Sequence, residues 1–291
     1  MARSRLVYAL GQQSLGTVVM WCGLQLPTYV LAEEKHSRCL TDKVYLPTSV
    51  SGHVIWHLGY TEEASAAALT ASYAVLQRAA SQYDPSYRVK GVLTDGFDST
   101  TKSLWIVFPG ARLGPCLRHT LLKLPKKRTA IASPVRMALR TQFHTLWYRA
   151  RQRKGLRVLA LGQRLRRFTD YVATTAGAAN GTRGRQGFQD KKAGWYAVLE
   201  DAQMPVISTL LDQAHTAIDR KLFIMKALHH PHGSQRAFLT GRAHLYNLVS
   251  YQHRAQHAGP CGGGSRRRTR IHRRLDAQPA HSHLRWLSMS R

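Results

Sequence analysis

The chain has 291 residues, enough for one large domain or two small ones, and its 44% hydrophobic content allows a sizeable core. Against 15 Asp+Glu stand 43 Lys+Arg, and the resulting net charge of +28 concentrates polyanions, nucleic acid foremost, without saying anything about catalysis. Cys22, Cys39, Cys116 and Cys261 are scattered with no Cys-x-x-Cys pair, which argues against a disulfide framework or a zinc ribbon.

Residues 1–32 superficially resemble a signal peptide, but Gln12, Gln13 and Ser14 interrupt the apolar run, and Gly23, Gln25 and Pro27 break its second half. No stretch reaches the roughly 18 apolar residues of a membrane helix, so a cytoplasmic protein with no membrane partner is expected. Residues 27–60 read as three strands: PTYVLAEE, the alternating DKVYLPTSV, and HVIWHLGY after a Ser51-Gly52 turn. The alanine-rich stretch 62–80 then predicts a helix, opened by Thr61 with Glu62 and Glu63 in its first turn. RVKGVLTD returns to strand, Asp98 and Ser99 suit an N-cap, and TTKSLWIVFP predicts a short helix stopped by Pro109. ARLGPCLRHTLLKLPKK gives another strand and helix. The order β-β-β-α-β-α-β-α predicts an α/β fold whose mixed sheet is antiparallel first and parallel afterwards.

From Ser133 to about Pro205 the strand signal disappears into basic helical sequence, broken by the loop GAANGTRGRQG. Ser208 to His257 is helical again, interrupted at His229–Gly233, and residues 259–291 form a Gly/Arg-rich tail expected to be disordered. One permissible codon choice for LDAQPAHSHLRWL, read one nucleotide later, encodes the apolar WMLNLHILTSGG. Together with the abrupt change of composition, this suggests a frameshifted end near Gly262.

In an α/β sheet, functional groups collect at the carboxyl ends of strands. Asp95 in GVLTDGFDS lies there, and with Asp98 available as the helix cap, Asp95 has no evident structural task. Cys116 and His119 stand three apart at a helix start, too few by themselves for a zinc site. Taken together, DG before a helix, then FP, then a strand leading to Cys-x-x-His, then a helix ending KLPKK, resembles the bacterial insertion-sequence transposases related to the Mutator superfamily. ISTLLDQAHTAIDRKLF resembles the segment that gives their third acid, and HHPHGSQRAFLTGRAHLYN the helices after it. The resemblance spans about residues 27–258.

It implies an RNase H-like core over 27–132, an α-helical insertion over 133–207 before the third catalytic acid, and helices over 208–258 that complete the core. Residues 1–26 are then expected to be a remnant N-terminal segment of a truncated transposase that lacks the N-terminal DNA-recognition domain. Asp95 matches the second acid of the DDE/D triad, Asp212 the third, and Cys116 and His119 the Cys-x-x-His element. Glu33, in Ala32-Glu33-Glu34-Lys35-His36, stands where the family has Asp. Glu34 points to the opposite face of the strand and cannot replace it. Such triads hold two Mg²⁺ ions (or Mn²⁺) about 3.5–4 Å apart for in-line phosphoryl transfer. An added methylene at Glu33 displaces the carboxylate by more than the roughly 0.5 Å such sites tolerate, so impaired strand transfer is expected. The implied partners are the insertion-sequence ends and target DNA, in a nucleoid-associated homo-oligomer.

Two alternatives stand beside this reading: a catalytically inactive remnant acting only as a basic DNA-binding protein, and a related nuclease of the same fold. Asp219 is a second candidate for the third acid, favoured less than Asp212 because of the surrounding TLLDQ. His229, His230 and His232 read as a helix-breaking turn with solvated or DNA-facing imidazoles rather than a metal site. WYRARQRKG reads as a DNA-backbone contact, and Trp147 and Trp195 as buried aromatics in preference to base-stacking ones.

Overall fold

The computed structural model describes residues 24–39, 41–123, 190–224 and 234–257, together with 7, 9–11, 137–138, 141–145, 148, 163–164, 166–168, 170–171 and 174. Among the described residues five strands form one sheet: β1 (Tyr29–Cys39), β2 (Asp42–Ser51), β3 (Val54–Leu58), β4 (Gly91–Thr94) and β5 (Arg112–Pro115). β1 and β2 pair antiparallel from Leu31↔Val50 to Cys39↔Asp42, and β3 returns antiparallel to β2 after the expected Ser51-Gly52 turn. Helix α1 (Ala66–Tyr83) then carries the chain across to β4, which lies parallel to β1, and α2 (Asp98–Val107) carries it to β5, parallel to β4. The order across the sheet is β3-β2-β1-β4-β5. The mixed α/β architecture and the change from antiparallel to parallel pairing are therefore as the sequence led us to expect.

Alternation along β1 divides the core in two. Val30 and Ala32 face α1 and α2, where they meet Leu69, Tyr73, Leu76 and Leu104. Leu31 faces the other way, into a second cluster with Leu93, Trp195, Val198, Leu211 and Leu239. That second layer is built by α3 (Leu117–Lys123), α4 (Lys192–Glu200), α5 (Thr209–Ile224) and α6 (Ser234–His257). Helices on both faces cover β4 and the first part of β1, where Tyr29–Ala32 are apolar, and Glu33 ends that run on the second face. Close approach fixes α4 on β5: a Cβ at Gly114 would stand 2.1 Å from Val198 Cγ2, and one at Gly194 2.7 Å from Pro115 Cδ. Val7 is buried in the second cluster, beside α6.

Two helix starts differ from expectation. Thr61, Glu62 and Glu63 do not open α1, because Thr61 exchanges backbone hydrogen bonds with Tyr45 at 2.8 and 2.9 Å. Ser65 caps the helix instead, its hydroxyl accepting from the Ala68 N–H at 3.2 Å. At α2 the N-cap is Phe97, and Asp98 sits in the first turn. Of the expected insertion, α4 and scattered helical residues are described. Phe143 and Trp195 there are fully buried, their rings 5.1 Å apart, so Trp195 serves as a core aromatic. Trp147, most of the WYRARQRKG segment, His229, His230, His232 and the tail 259–291 lie outside the described residues. Among the described residues no helix is long and apolar enough to cross a membrane.

Candidate metal centre

The parallel register Leu31↔Leu93 sets the level of the site. Two residues on from this pair come Glu33, still on β1, and Asp95, just past the end of β4. Glu33 is only 7% exposed, at the carboxyl side of the sheet's centre, and its two oxygens have different surroundings. Oε1 lies 3.4 Å from His215 Nδ1, whereas Oε2 is 3.8 Å from His119 Nδ1 and is buried without a hydrogen-bond partner. Glu34 points to the other face, as strand geometry requires, and accepts a hydrogen bond from the Thr100 hydroxyl of α2. Burial pushes its carboxyl up to about 7; the Thr100 hydrogen bond works against the shift, and the Asp95 and Glu33 charges add to it.

His119 enters from α3. Its imidazole meets Ser208 Oγ at 3.4 Å through Nδ1, and the same hydroxyl lies 3.3 Å from Cys116 Sγ. Cys116 and Ser208 are both fully buried. For the Cys116 thiol burial acts upward, but hydrogen bonds to His119 and Ser208 outweigh it and hold the thiol below its ordinary value. The hydrogen bond with Cys116 raises His119 above its own ordinary value, burial opposing and the charges of Glu33, Cys116 and Asp95 adding. The Cys-x-x-His element thus positions an imidazole beside Glu33, and Cys116 supports it from behind.

Ser208 also begins α5, its carbonyl accepting from the N–H groups of Leu211 and Asp212 at 2.9 and 3.0 Å. This turn carries Asp212 toward Glu33, and Arg118 of α3 pairs with Asp212 Oδ2 at 2.6 Å. Glu33, His119 and Asp212 each offer one ligand atom, and these atoms lie within 4.8 Å of one another. Two carboxylates and an imidazole around a buried oxygen lacking a donor form a donor set that can hold a divalent cation.

Asp95 stands beside this group rather than in it. Its Oδ1 accepts the Phe97 N–H at 2.8 Å, so it does have the structural task the sequence left open, closing the turn into α2. Gly96, at φ +77°, allows that turn, and Lys191 Nζ lies over it, 2.9 Å from where a Cβ would stand. The charge of Asp95 reaches both His119 and Glu34. Asp219 pairs instead with Lys35 at 2.5 Å, further along β1, apart from the cluster. The sequence reading missed His215, Ser208 and Arg118. His215 was accessible in principle, because three residues beyond Asp212 is the same helix face.

A comparison with models of known protein families finds no match to this chain, and a comparison with curated protein sequences finds none either.

Proposed function

We propose that the protein is a divalent-cation-dependent DNA strand transferase of the insertion-sequence transposase type, with an RNase H-like core. The observation that carries the reading is the meeting of Glu33 from β1 with Asp212 from α5, beside Asp95, at the carboxyl side of adjacent parallel strands. Three antiparallel strands followed by two parallel ones, and a helix delivering the last acid, are what the resemblance implies for such a core. A net charge of +28 suits a substrate with a phosphate backbone.

In this reading Glu33 and Asp212 hold Mg²⁺ or Mn²⁺, and Asp95 completes the acidic set with Glu33. When bound, the cation lowers the pKa of an attacking water or hydroxyl and neutralises charge on the phosphoryl oxygens. Arg118 both tethers Asp212 and offers a guanidinium to a phosphate. The buried wall of α3 and α5 around Glu33 restricts water on the protein side. DNA ends, target DNA and a second copy of the chain are the partners the resemblance implies.

Glu33 sets the expected level of activity. With Mg²⁺ or Mn²⁺ and labelled duplexes carrying the sequences that flank the gene, cleavage should be weak. Glu33→Asp should raise it at least tenfold, and Asp95→Asn or Asp212→Asn in that background should abolish it. Equal, robust cleavage by the unaltered chain and Glu33→Asp would remove the idea that Glu33 impairs the centre. Binding without cleavage by either would favour the inactive DNA-binding remnant.

A further inference from the structure

We infer that Glu33, His119 and Asp212 form a single-ion centre that selects a divalent transition ion over Mg²⁺, with His215 and Ser208 as the residues that position its ligands. The inference rests on the reading of this cluster as a cation site, and goes beyond it in the donor set and in the ion chosen.

The first observation is the asymmetry of Glu33. One oxygen faces His215 Nδ1 at 3.4 Å, while the buried Oε2 has no hydrogen-bond donor and faces His119. A buried acceptor without a donor is unfavourable unless something else meets it. The 3.8 Å from Oε2 to His119 Nδ1 is too long for a hydrogen bond. Ligands about 2.0–2.2 Å from a shared ion stand roughly 3–4 Å apart, so the spacing suits an ion between them. The set closes to bonding distance with small side-chain movements, because all three ligand atoms already lie within 4.8 Å of one another.

The second observation is the chemistry of the donors. Mg²⁺ favours oxygen ligands and releases its waters reluctantly, whereas imidazole suits first-row transition ions. One imidazole among two carboxylates therefore shifts selectivity toward ions such as Mn²⁺, and three protein ligands leave positions open for water or a phosphate oxygen. Ligating side chains are normally held from behind by further hydrogen bonds. Here His215 faces the second oxygen of Glu33, Ser208 Oγ lies 3.3 Å from Cys116 Sγ, which in turn hydrogen-bonds His119, and Arg118 holds Asp212 Oδ2 at 2.6 Å. His215 lies one helical turn beyond Asp212 on α5, and Ser208 one turn before it, so one helix carries a ligand and the supports for the other two.

The test is metal binding by the full chain, stripped with chelator, in the absence of DNA. Equilibrium dialysis should give one Mn²⁺ per chain, bound at least tenfold more tightly than Mg²⁺. Pulsed electron paramagnetic resonance of the Mn²⁺-loaded chain should show a ¹⁴N coupling from an imidazole. His119→Gln should remove that coupling, Asp219→Asn should leave it, and Ser208→Ala or His215→Gln should weaken Mn²⁺ binding about 10–100-fold without removing it. The unaltered chain supplies the coupling, so a variant that fails to fold cannot conceal the result. Mg²⁺ binding as tight as Mn²⁺, or no ¹⁴N coupling, overturns the inference. Mg²⁺-supported DNA cleavage without that coupling would leave the transferase reading standing alone. A nitrogen-coupled ion with no cleavage in any metal would leave the centre standing and the transferase reading lost.

Discussion

Glu33 combines two properties that seldom coexist without a ligand: near-complete burial and a carboxylate oxygen that no donor reaches. An unsatisfied buried polar group costs about 1–3 kcal/mol, more when charged. Sites kept for function are where such costs persist. In metal-free protein, Glu33→Gln should therefore be no less stable than the unaltered chain, since it keeps the shape and removes the buried charge. Urea unfolding measures this, and a loss of more than about 1 kcal/mol would mean that the neighbouring imidazoles already compensate the carboxylate. At this scale the sequence was informative where chemistry is unusual. Acids that follow apolar runs, Glu33 after Tyr29–Ala32 and Asp95 after Gly91–Thr94, stand out in a basic chain, as does Asp212 directly after Leu210 and Leu211. His215 did not stand out, because a histidine on a helix is ordinary until the strand it faces is known. Asp95 was half legible: its position was read, but its hydrogen bond to the Phe97 N–H was not.

Elements reveal their type in sequence more readily than their neighbours. The β-rich approach to Glu33 in β1, the alternation of β2 and the alanine-rich period of α1 were enough to order strands and helices. The start of α1 was misplaced because Thr61 is claimed by Tyr45 of β2, a tertiary contact that overrides local capping preference. The closure of the sheet's β3 edge was equally illegible. Asn247 of α6 lies alongside Ile55, its Oδ1 accepting the Ile55 N–H at 2.8 Å and its Nδ2 donating to the Ile55 carbonyl at 2.9 Å. The side-chain amide thereby replaces a missing strand and blunts an edge that would otherwise invite pairing. Asn247→Ala strands both backbone groups in a buried place, and should cost about 2 kcal/mol or more. Asn247→Asp should be at least as harmful, because it keeps the acceptor but sets a carboxylate against the Ile55 carbonyl. Urea midpoints of both variants within about 0.5 kcal/mol of the unaltered chain would show that the edge does not depend on this amide.

For the molecule as a whole, +28 of net charge has two consequences that salt moves in opposite directions. Self-repulsion among the 43 Lys+Arg destabilises the compact state, so added salt should raise the thermal midpoint of the free chain. Attraction to a phosphate backbone weakens with salt through counterion release, and a footprint of about 6–10 phosphates loses roughly 10³–10⁵ in affinity between 50 and 200 mM. Duplex DNA binding, measured by fluorescence anisotropy across that range, should fall linearly on logarithmic axes. If the protein binds DNA as proposed, the slope should be the same in Glu33→Gln, because that substitution removes no Lys or Arg that could meet a phosphate. Cleavage should respond to Glu33 and to the metal while binding does not. Less than a tenfold loss over the range would mean that phosphate contacts do not dominate binding, and a slope that changes with Glu33→Gln would tie DNA contact to the ion site itself. The comparison uses one pair of proteins: DNA binding is common to the proposed strand transferase and to an inactive DNA-binding remnant, and dependence of cleavage on Glu33 is what would tell them apart.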